Sequence, residues 1–506
     1  MARSSNAHVL AHETGTLTRR AGIECVLCYP NTYRVAGASL GYQVVYRILN
    51  SRPELSCQRA VLPDDAFTTD RALPIRSLEH GMGLEQFDAI LFSIAYELDI
   101  PHVAEMLRRA SINPLADERS SDDPPVIAGG PLTQSNVLAL GAFIDIGVIG
   151  EAEVALQSLL DWLQAGMPKA EMMALAAQTP GFWVPTIHGN AVPDVLAVYG
   201  QHIPAIGQWY SSEAEFRDMA LLETSRGCPR YCRFCVVRAP VSPMRSPPLQ
   251  SVVDALDHEP YLSAPRIGFV GAAVSDWPHI KGALAAAVER GKGVGISSLR
   301  ADQLDEEFVS LLAAGGFRSI TIASDAASQR MRGKMMKGLR ERHFIGAARL
   351  AREAGMRSMK LYVILGLPQE QDSDLDELIA MCLAISKIIP LAMTISPFVP
   401  KLHTPLAEAP FEPIKTQMKK LKRVQRALSS RVDVRFDSPR WAWIEYRLSQ
   451  GGMETGRAAW QAWQAGGSFA DWKRAFASID QGNHAEERAA VGAALQHDLW
   501  PLTGAR

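Results

Sequence analysis

Three cysteines fall within eight residues, at Cys228, Cys232 and Cys235, in a stretch that reads E-T-S-R-G-C-P-R-Y-C-R-F-C from Glu223. A C-x3-C-x2-C spacing lets three thiolates converge on one metal centre if the backbone curls around it. Gly227 and Pro229 suit such a curl, and Arg226, Arg230 and Arg233 would offset the charge of thiolates and sulfides. Cubane iron–sulfur clusters have four irons and usually four cysteine ligands. A loop that offers three leaves one iron open, and an open position separates catalytic from structural metal sites. Such an iron can take the amine and carboxylate of a substrate, and an electron passed into a sulfonium held there would cleave its C–S bond. Structural zinc prefers four ligands, and no fourth Cys or His lies nearby in the sequence. Buried thiols without a metal are the other alternative, but a chain with only seven cysteines rarely gathers three of them by chance.

The remaining cysteines carry weaker signals. Cys25 and Cys28 form a C-x2-C, which invites a second cluster or a redox pair. They fall in an expected strand, where positions three apart point to opposite faces. Cys57 and Cys382 read as buried thiols. An odd cysteine count without a visible signal segment argues against a disulfide framework.

The elements that must position the cysteine loop follow a repeated theme. Residues 218–400 contain six β-rich runs, at 219–225, 266–274, 293–301, 319–326, 359–368 and 391–400, most of them followed by amphipathic helices such as 304–314 and 341–354. Six such units suit an incomplete (βα) barrel, whose chemistry sits on the loops after the strands. Upstream, the runs 23–30, 87–95, 124–130 and 145–150 alternate with amphipathic stretches 39–50, 100–111 and 153–165. That alternation implies a parallel sheet covered on both faces, with ligands at the carboxyl ends of the strands. Residues 170–215 read as a connecting segment. Beyond residue 400, the segment 413–430 is helical with a basic face, and Trp441, Trp443, Trp460, Trp463, Trp472 and Trp500 suggest helices packed on an aromatic core.

Bulk composition excludes several classes. A hydrophobic fraction of 47%, a charged fraction of 21% and a net charge of -2 describe a globular chain with no global pull toward nucleic acid or an anionic membrane. The longest apolar stretch, 377–398, is interrupted by Lys387 and Pro390. A membrane span needs about 20 predominantly apolar residues. The expected location is cytoplasmic. The basic run Lys415, Lys419, Lys420, Lys422, Arg423 and Arg426 could meet a polyanion such as tRNA, but a solvated helix face is the usual explanation. His403 could face the site or stabilise a turn.

The cysteine loop, standing at the end of the first strand of a partial barrel, resembles the signature of the radical S-adenosylmethionine (radical SAM) superfamily. The resemblance implies that Cys228, Cys232 and Cys235 ligate a 4Fe-4S cluster whose fourth iron chelates SAM, and that reductive cleavage gives a 5′-deoxyadenosyl radical. It implies an electron donor such as flavodoxin or ferredoxin, and a small-molecule or peptide substrate. Further stretches are similar to the family's strand ends. F-V-G-A-A-V offers Gly271 to the SAM amino group, and G-I-S-S-L-R-A-D offers Ser297 and Arg300 to its carboxylate or ribose. A-S-D-A-A-S stands where A-P-E-A-G-S is usual, with Asp325 in place of Glu. Y-V-I-L-G-L-P-Q-E offers Gly366, Leu367 and Pro368 to the adenine.

An α/β domain ahead of the barrel is similar to the cobalamin-binding branch of that superfamily. C-Y-P-N-T-Y-R-V-A-G-A-S-L-G, F-S-I-A-Y-E-L-D, A-G-G-P, I-G-E-A-E and S-P-F-V-P-K-L-H-T-P resemble one largely uncharacterised subgroup of it. The expected fold class is therefore α/β. Residues 1–200 would be a Rossmann-like (flavodoxin-like) cobalamin-binding-type domain with a linker, 201–400 a partial (βα)6 TIM-type barrel, and 401–506 a small helical Trp-rich domain. The usual D-x-H-x-x-G element is absent, and the comparable loop reads N-T-Y-R-V-A-G from Asn31. Two readings stay open. Cobalamin binds without a His ligand, near Asn31, Gly129 and Gly130 with Tyr33 or Arg34 beneath it, or the domain has lost cobalamin and serves as a scaffold. The first gives a methyltransferase acting on an unactivated carbon. The alternative is a cobalamin-free enzyme, such as a methylthiotransferase on RNA or protein, with Cys25, Cys28 and Cys57 holding a second cluster. A non-enzymatic iron–sulfur sensor is the third reading.

Overall fold

A computed structural model of the chain describes residues 8–64, 73–198, 202–238, 242–296 and 299–481. Ser297 and Trp500 lie outside them. The chain forms two compact units. One comprises the residues up to Asp218 together with the stretch from Arg447, and the other comprises Met219–Tyr446. Among the described residues, no helix is long and apolar enough to cross a membrane.

The first unit is built on a six-stranded sheet: β1 (Ile23–Thr32), β2 (Leu55–Leu62), β3 (Ala89–Ser93), β4 (Val126–Gly129), β5 (Ile146–Val148) and β6 (Phe182–Trp183). Their order across the sheet is β2-β1-β3-β4-β5-β6, parallel throughout except for the last pair. Helices α1 (Leu40–Leu49) and α3 (Ala152–Gln164) bury Tyr42, Tyr46, Leu49, Leu156, Leu159 and Leu160 in one core with Cys25, Leu27 and Tyr29 of β1. Ser39 caps α1 by accepting from the Tyr42 amide at 3.4 Å. Between them in sequence, α2 (Ile100–Arg109) is buried on nearly every side. Helix Met453–Gln464 packs on it, with the Trp463 ring meeting His102 edge to face at 4.8 Å between centroids. The same helix also packs on the turn Leu138–Ala142, and that approach needs glycine at position 456, where a Cβ would stand 1.9 Å from the Ala139 carbonyl oxygen.

A buried ion cluster closes the unit. The Arg59 guanidinium on β2 donates to Glu79 at 2.6 Å and to both oxygens of Glu13 at 2.7 and 2.8 Å. All three side chains have no exposed surface. The guanidinium also lies over the rings of Tyr46 and Trp209, 4.8 and 4.3 Å from their centroids.

The second unit has seven parallel strands in chain order: β7 (Met219–Ser225), β8 (Arg266–Gly271), β9 (Gly293–Ile296), β10 (Ser319–Ala323), β11 (Ser358–Leu365), β12 (Leu391–Pro397) and β13 (Val432–Phe436). The first three form one ladder and the last four another, and a parallel bridge from Leu299 to Ile322 links the two. Helices α4 (Glu341–Glu353), α5 (Asp372–Ser386) and α6 (Ile414–Leu428) pack on β11, β12 and β13. They bury Met359, Leu361 and Val363, while alternate residues Lys360, Tyr362 and Arg435 stay exposed.

Two expectations are corrected here. Residues 401–506 do not form one helical unit. Residues 401–446 stay with the second unit because V-D-V-R-F pairs with β12 as a seventh strand. From Arg447 the chain returns to the first unit, where Asn136 Nδ2 donates to the carbonyls of Leu448 at 3.0 Å and Gly451 at 2.7 Å. The strand Leu55–Leu62 was also not foreseen.

Candidate active site

The cysteine loop leaves β7, whose seven residues are all buried. Arg226 and Arg245 exchange backbone hydrogen bonds at 2.8 Å each, and the Cys228 amide donates to the Ser242 carbonyl at 2.9 Å. The loop is thus clasped at its neck. Gly227 makes the clasp possible. Its φ is +75°, and a Cβ there would stand 2.4 Å from the Pro243 carbonyl oxygen and 2.5 Å from that of Ser242. We expect Gly227→Ala to displace the loop and to cut reconstituted iron severalfold with the rest of the fold intact. Iron analysis beside far-ultraviolet circular dichroism measures this, and full iron loading in the variant refutes it.

None of the three thiols is bridged to another cysteine. Cys232 is the most enclosed, at 8% exposed. Burial raises all three thiols above the usual range, Cys235 to about 11. At Cys232 the Lys337 ammonium opposes that rise while Asp325 adds to it. The thiols must shed their protons to bind iron, so loading releases protons.

Four ion pairs surround the loop. Arg226 takes both oxygens of Glu223, at 2.8 and 2.9 Å. Arg230 binds Asp276, its Nε at 3.0 Å from Oδ1. Arg300 takes both oxygens of Asp302, at 3.0 and 2.9 Å, and donates to the Lys337 carbonyl at 3.2 Å. Lys337 in turn binds Asp325. The loop arginines are therefore not free counter-charges as expected, because Arg226 and Arg230 each hold a carboxylate. Asp276, Asp302 and Lys337 carry no readable sequence signal. Only the fold brings them beside the cysteines.

The SAM candidates divide. Arg300 and Asp325 sit close enough to act on Cys232 electrostatically. Asp325 has a φ of +54°, a constrained position for a carboxylate. Gly271 ends β8 against Ser225, where a Cβ would meet the Ser225 Oγ at 2.4 Å and its carbonyl oxygen at 2.6 Å. Gly366 has a φ of +86° and donates its amide to Glu370 at 3.1 Å. The Leu367 side chain is core, clustered with Ala326, Met331, Phe398 and the loop residue Phe234.

The first unit's candidates share one edge of its sheet but not one role. Asn31 donates to Asp99 at 3.0 Å. Gly130, with a φ of +108°, ends β4 where a Cβ would lie 2.6 Å from the Ile94 carbonyl oxygen. A Cβ on Gly129 would meet Val148 at 3.4 Å. Tyr33 is buried with its hydroxyl given to Glu13, and Arg34 pairs at the surface with Glu215. Neither is a free group waiting for a ligand. His102 is held as well, with Nδ1 3.1 Å from the Pro30 carbonyl oxygen.

Other sequence signals resolve blandly. Cys25, Cys28 and Cys57 are buried at 0–2% exposed inside the sheet. His403 is exposed at a φ of +61°, a turn position. In the basic run, Lys420 bridges Glu370 and Glu412 at 2.8 and 2.6 Å, and Arg423 pairs with Asp372 and Asp376 at 3.0 and 2.6 Å. Those pairs neutralise part of the face that would meet a polyanion.

The cysteine site fits a multi-iron cluster. One loop supplies three thiols, the number that leaves one iron of a cubane open, whereas tetrahedral structural zinc takes four protein ligands. At the loop's margins the buried Ser225 Oγ, Asp276 Oδ2 and Trp277 Nε1 have no hydrogen-bond partner among the described residues. The family described as "Radical SAM superfamily" matches residues 222–382, and "Radical SAM proteins, N-terminal" matches 41–185. The chain belongs to the radical SAM superfamily.

A radical SAM protein uses a 4Fe-4S cluster and SAM, and here Cys228, Cys232 and Cys235 are the residues that would hold the cluster. The fold is also that of TsrM from Kitasatospora setae, a radical S-adenosylmethionine methyltransferase. Its structure with cobalamin and a 4Fe-4S cluster bound aligns with a TM-score of 0.59 at 16% identity, over 91% of this radical SAM chain and 100% of that one. Its structure with tryptophan substrate and the SAM analogue aza-SAM aligns with a TM-score of 0.52 at 16% identity, over 76% and 75%. In sequence, the chain is 26% identical over 411 residues to the uncharacterized protein MJ0966 of Methanocaldococcus jannaschii, covering 79% of this chain and 82% of that one.

Proposed function

We propose that this radical SAM protein is a cobalamin-dependent methyltransferase acting on an unactivated carbon. The observation that carries the reading is the alignment, over nearly the whole chain, with a methyltransferase fold that holds both cobalamin and a cluster. We read the second unit as an open barrel and the first as a flavodoxin-type domain, from the strand order β2-β1-β3-β4-β5. In that order the crevice lies outside the carboxyl ends of β1 and β3. Asn31 and Gly130 stand at that edge.

The cluster, once bound, supplies one electron to SAM, drawn from a flavodoxin- or ferredoxin-type donor. The chain's own part is to bind and orient. The clasp at Gly227 fixes the cysteine loop, and the Lys337–Asp325 and Arg300–Asp302 pairs set the charge beside Cys232. The face carrying Lys360, Tyr362 and Arg435, which α4–α6 leave uncovered, is read as facing a small-molecule or peptide substrate.

Asn31, Gly129 and Gly130 are the residues that would hold cobalamin, since His102 is already engaged and Tyr33 and Arg34 have partners. Protein refolded anaerobically with cobalamin and then desalted should retain about one corrinoid per chain, and a Gly130→Val variant should lose it. Wild-type protein that retains none ends the cobalamin reading and leaves SAM cleavage standing.

The alternative, a methylthiotransferase, requires a second cluster on Cys25, Cys28 and Cys57. Their burial in the sheet argues against it. Reconstituted protein should carry about four irons per chain, and about eight would restore the alternative.

A further inference from the structure

We propose that His8, His12 and Glu213 form a second metal site in the first unit, apart from the cysteine loop, that takes a zinc-class divalent ion. His8 and His12 are four residues apart, the spacing that sets two side chains on one side of a helical turn. Residues 8–11 are helical, and the two rings meet edge to face at 4.5 Å between centroids. Glu213 comes from a distant stretch of chain, and its Oε1 lies 3.9 Å from His8 Nε2. One ligand atom from each of the three residues lies within 4.8 Å of the others.

Two imidazoles and a carboxylate suit zinc and its neighbours, at about 2.0–2.2 Å per bond, with one position left for water. Donors around such an ion stand roughly 3.4 Å apart. The three groups must draw in by about 1 Å, which exposed side chains do by rotation. The side chains of His8 and Glu213 are 58% and 40% exposed.

The backbone already brings the donors into register. Glu13 pairs with Ser211 and Thr14 with Tyr210 in a short antiparallel ladder. The Glu213 amide donates to the Ser211 Oγ at 3.1 Å. Glu13, the neighbour of His12, is itself anchored on Arg59. An ion here would staple the first helical turn to the strand at 210–211.

The test uses full-length, tag-free protein with its cluster reconstituted, so that the cysteines are occupied. Under anaerobic equilibrium dialysis it should bind about one Zn2+ per chain, and His8→Ala/His12→Ala should lose that ion with iron unchanged. Immobilised Ni2+ should retain the wild type and not the double variant. Unfolding of both proteins at the same temperature without zinc shows that the variant folds. Equal zinc binding by the two proteins, or none by the wild type, overturns the site.

Discussion

Cys232→Ala abolishes reductive cleavage of SAM to 5′-deoxyadenosine, a loss of at least about a thousandfold, on the order of 4 kcal/mol of barrier. Cys232 is the most enclosed of the three thiols and stands nearest in influence to Lys337, Asp325 and Arg300. The loop offers three thiols in all, so the variant keeps two. Cys57→Ala and Cys382→Ala are the controls. Both thiols are buried at 2% exposed or less and far from the loop in sequence, so cleavage should stay within about twofold of wild type while stability falls by about 1 kcal/mol. Iron content and 5′-deoxyadenosine by chromatography report the result. A Cys232→Ala protein that keeps its iron and its cleavage would remove the cysteine loop from the chemistry.

Arg59→Leu is the second large effect, and it falls on stability. The wild-type guanidinium satisfies two carboxylates that have no access to water. Removing one partner of a buried ion cluster costs roughly 3–5 kcal/mol, because the remaining charges stay buried without compensation. Here two carboxylates are stranded, and Tyr46 and Trp209 lose the cation over their rings. Thermal unfolding of the first unit should drop by about 10 °C or more. Arg423→Ala removes pairs with the exposed Asp372 and Asp376 and should change the midpoint by less than about 3 °C. Equal shifts in the two variants would mean that the Arg59 cluster is not what holds the unit together.

The cysteine loop was legible in sequence because its signal is local: three thiols, a glycine and a preceding apolar run. Most strands were legible for the same reason, as short apolar runs bounded by turns. Strand β2 was not, since Gln58 and Arg59 make L-S-C-Q-R-A-V-L look like a surface segment. Both residues are buried, and the partners that make this tolerable for Arg59, Glu13 and Glu79, lie 46 and 20 residues away. Tyr33 and Arg34 have partners hidden from the sequence in the same way. As polar loop residues after a strand they look like ligand contacts, and only Glu13 and Glu215 show that they are already used. The ion pairs around Cys232 join residues from four different strand ends, which no window of sequence contains. Strand β13 was hidden between a basic helix and a tryptophan-rich stretch whose composition reads as helical.

The return of the chain at Arg447 has a consequence for biosynthesis. The first unit takes its sheet from the beginning of the chain and part of its cover from the end, with the whole of Met219–Tyr446 made in between. A ribosome therefore exposes the surface around His102 and Ala139 long before Trp463 and Gly456 exist to close it. The second unit, continuous in sequence among the described residues, has all its described strands as soon as Phe436 emerges. The part of the protein that is encoded first is thus finished last, and a nascent chain stalled before residue 447 carries an incomplete first unit beside a complete cysteine-bearing one.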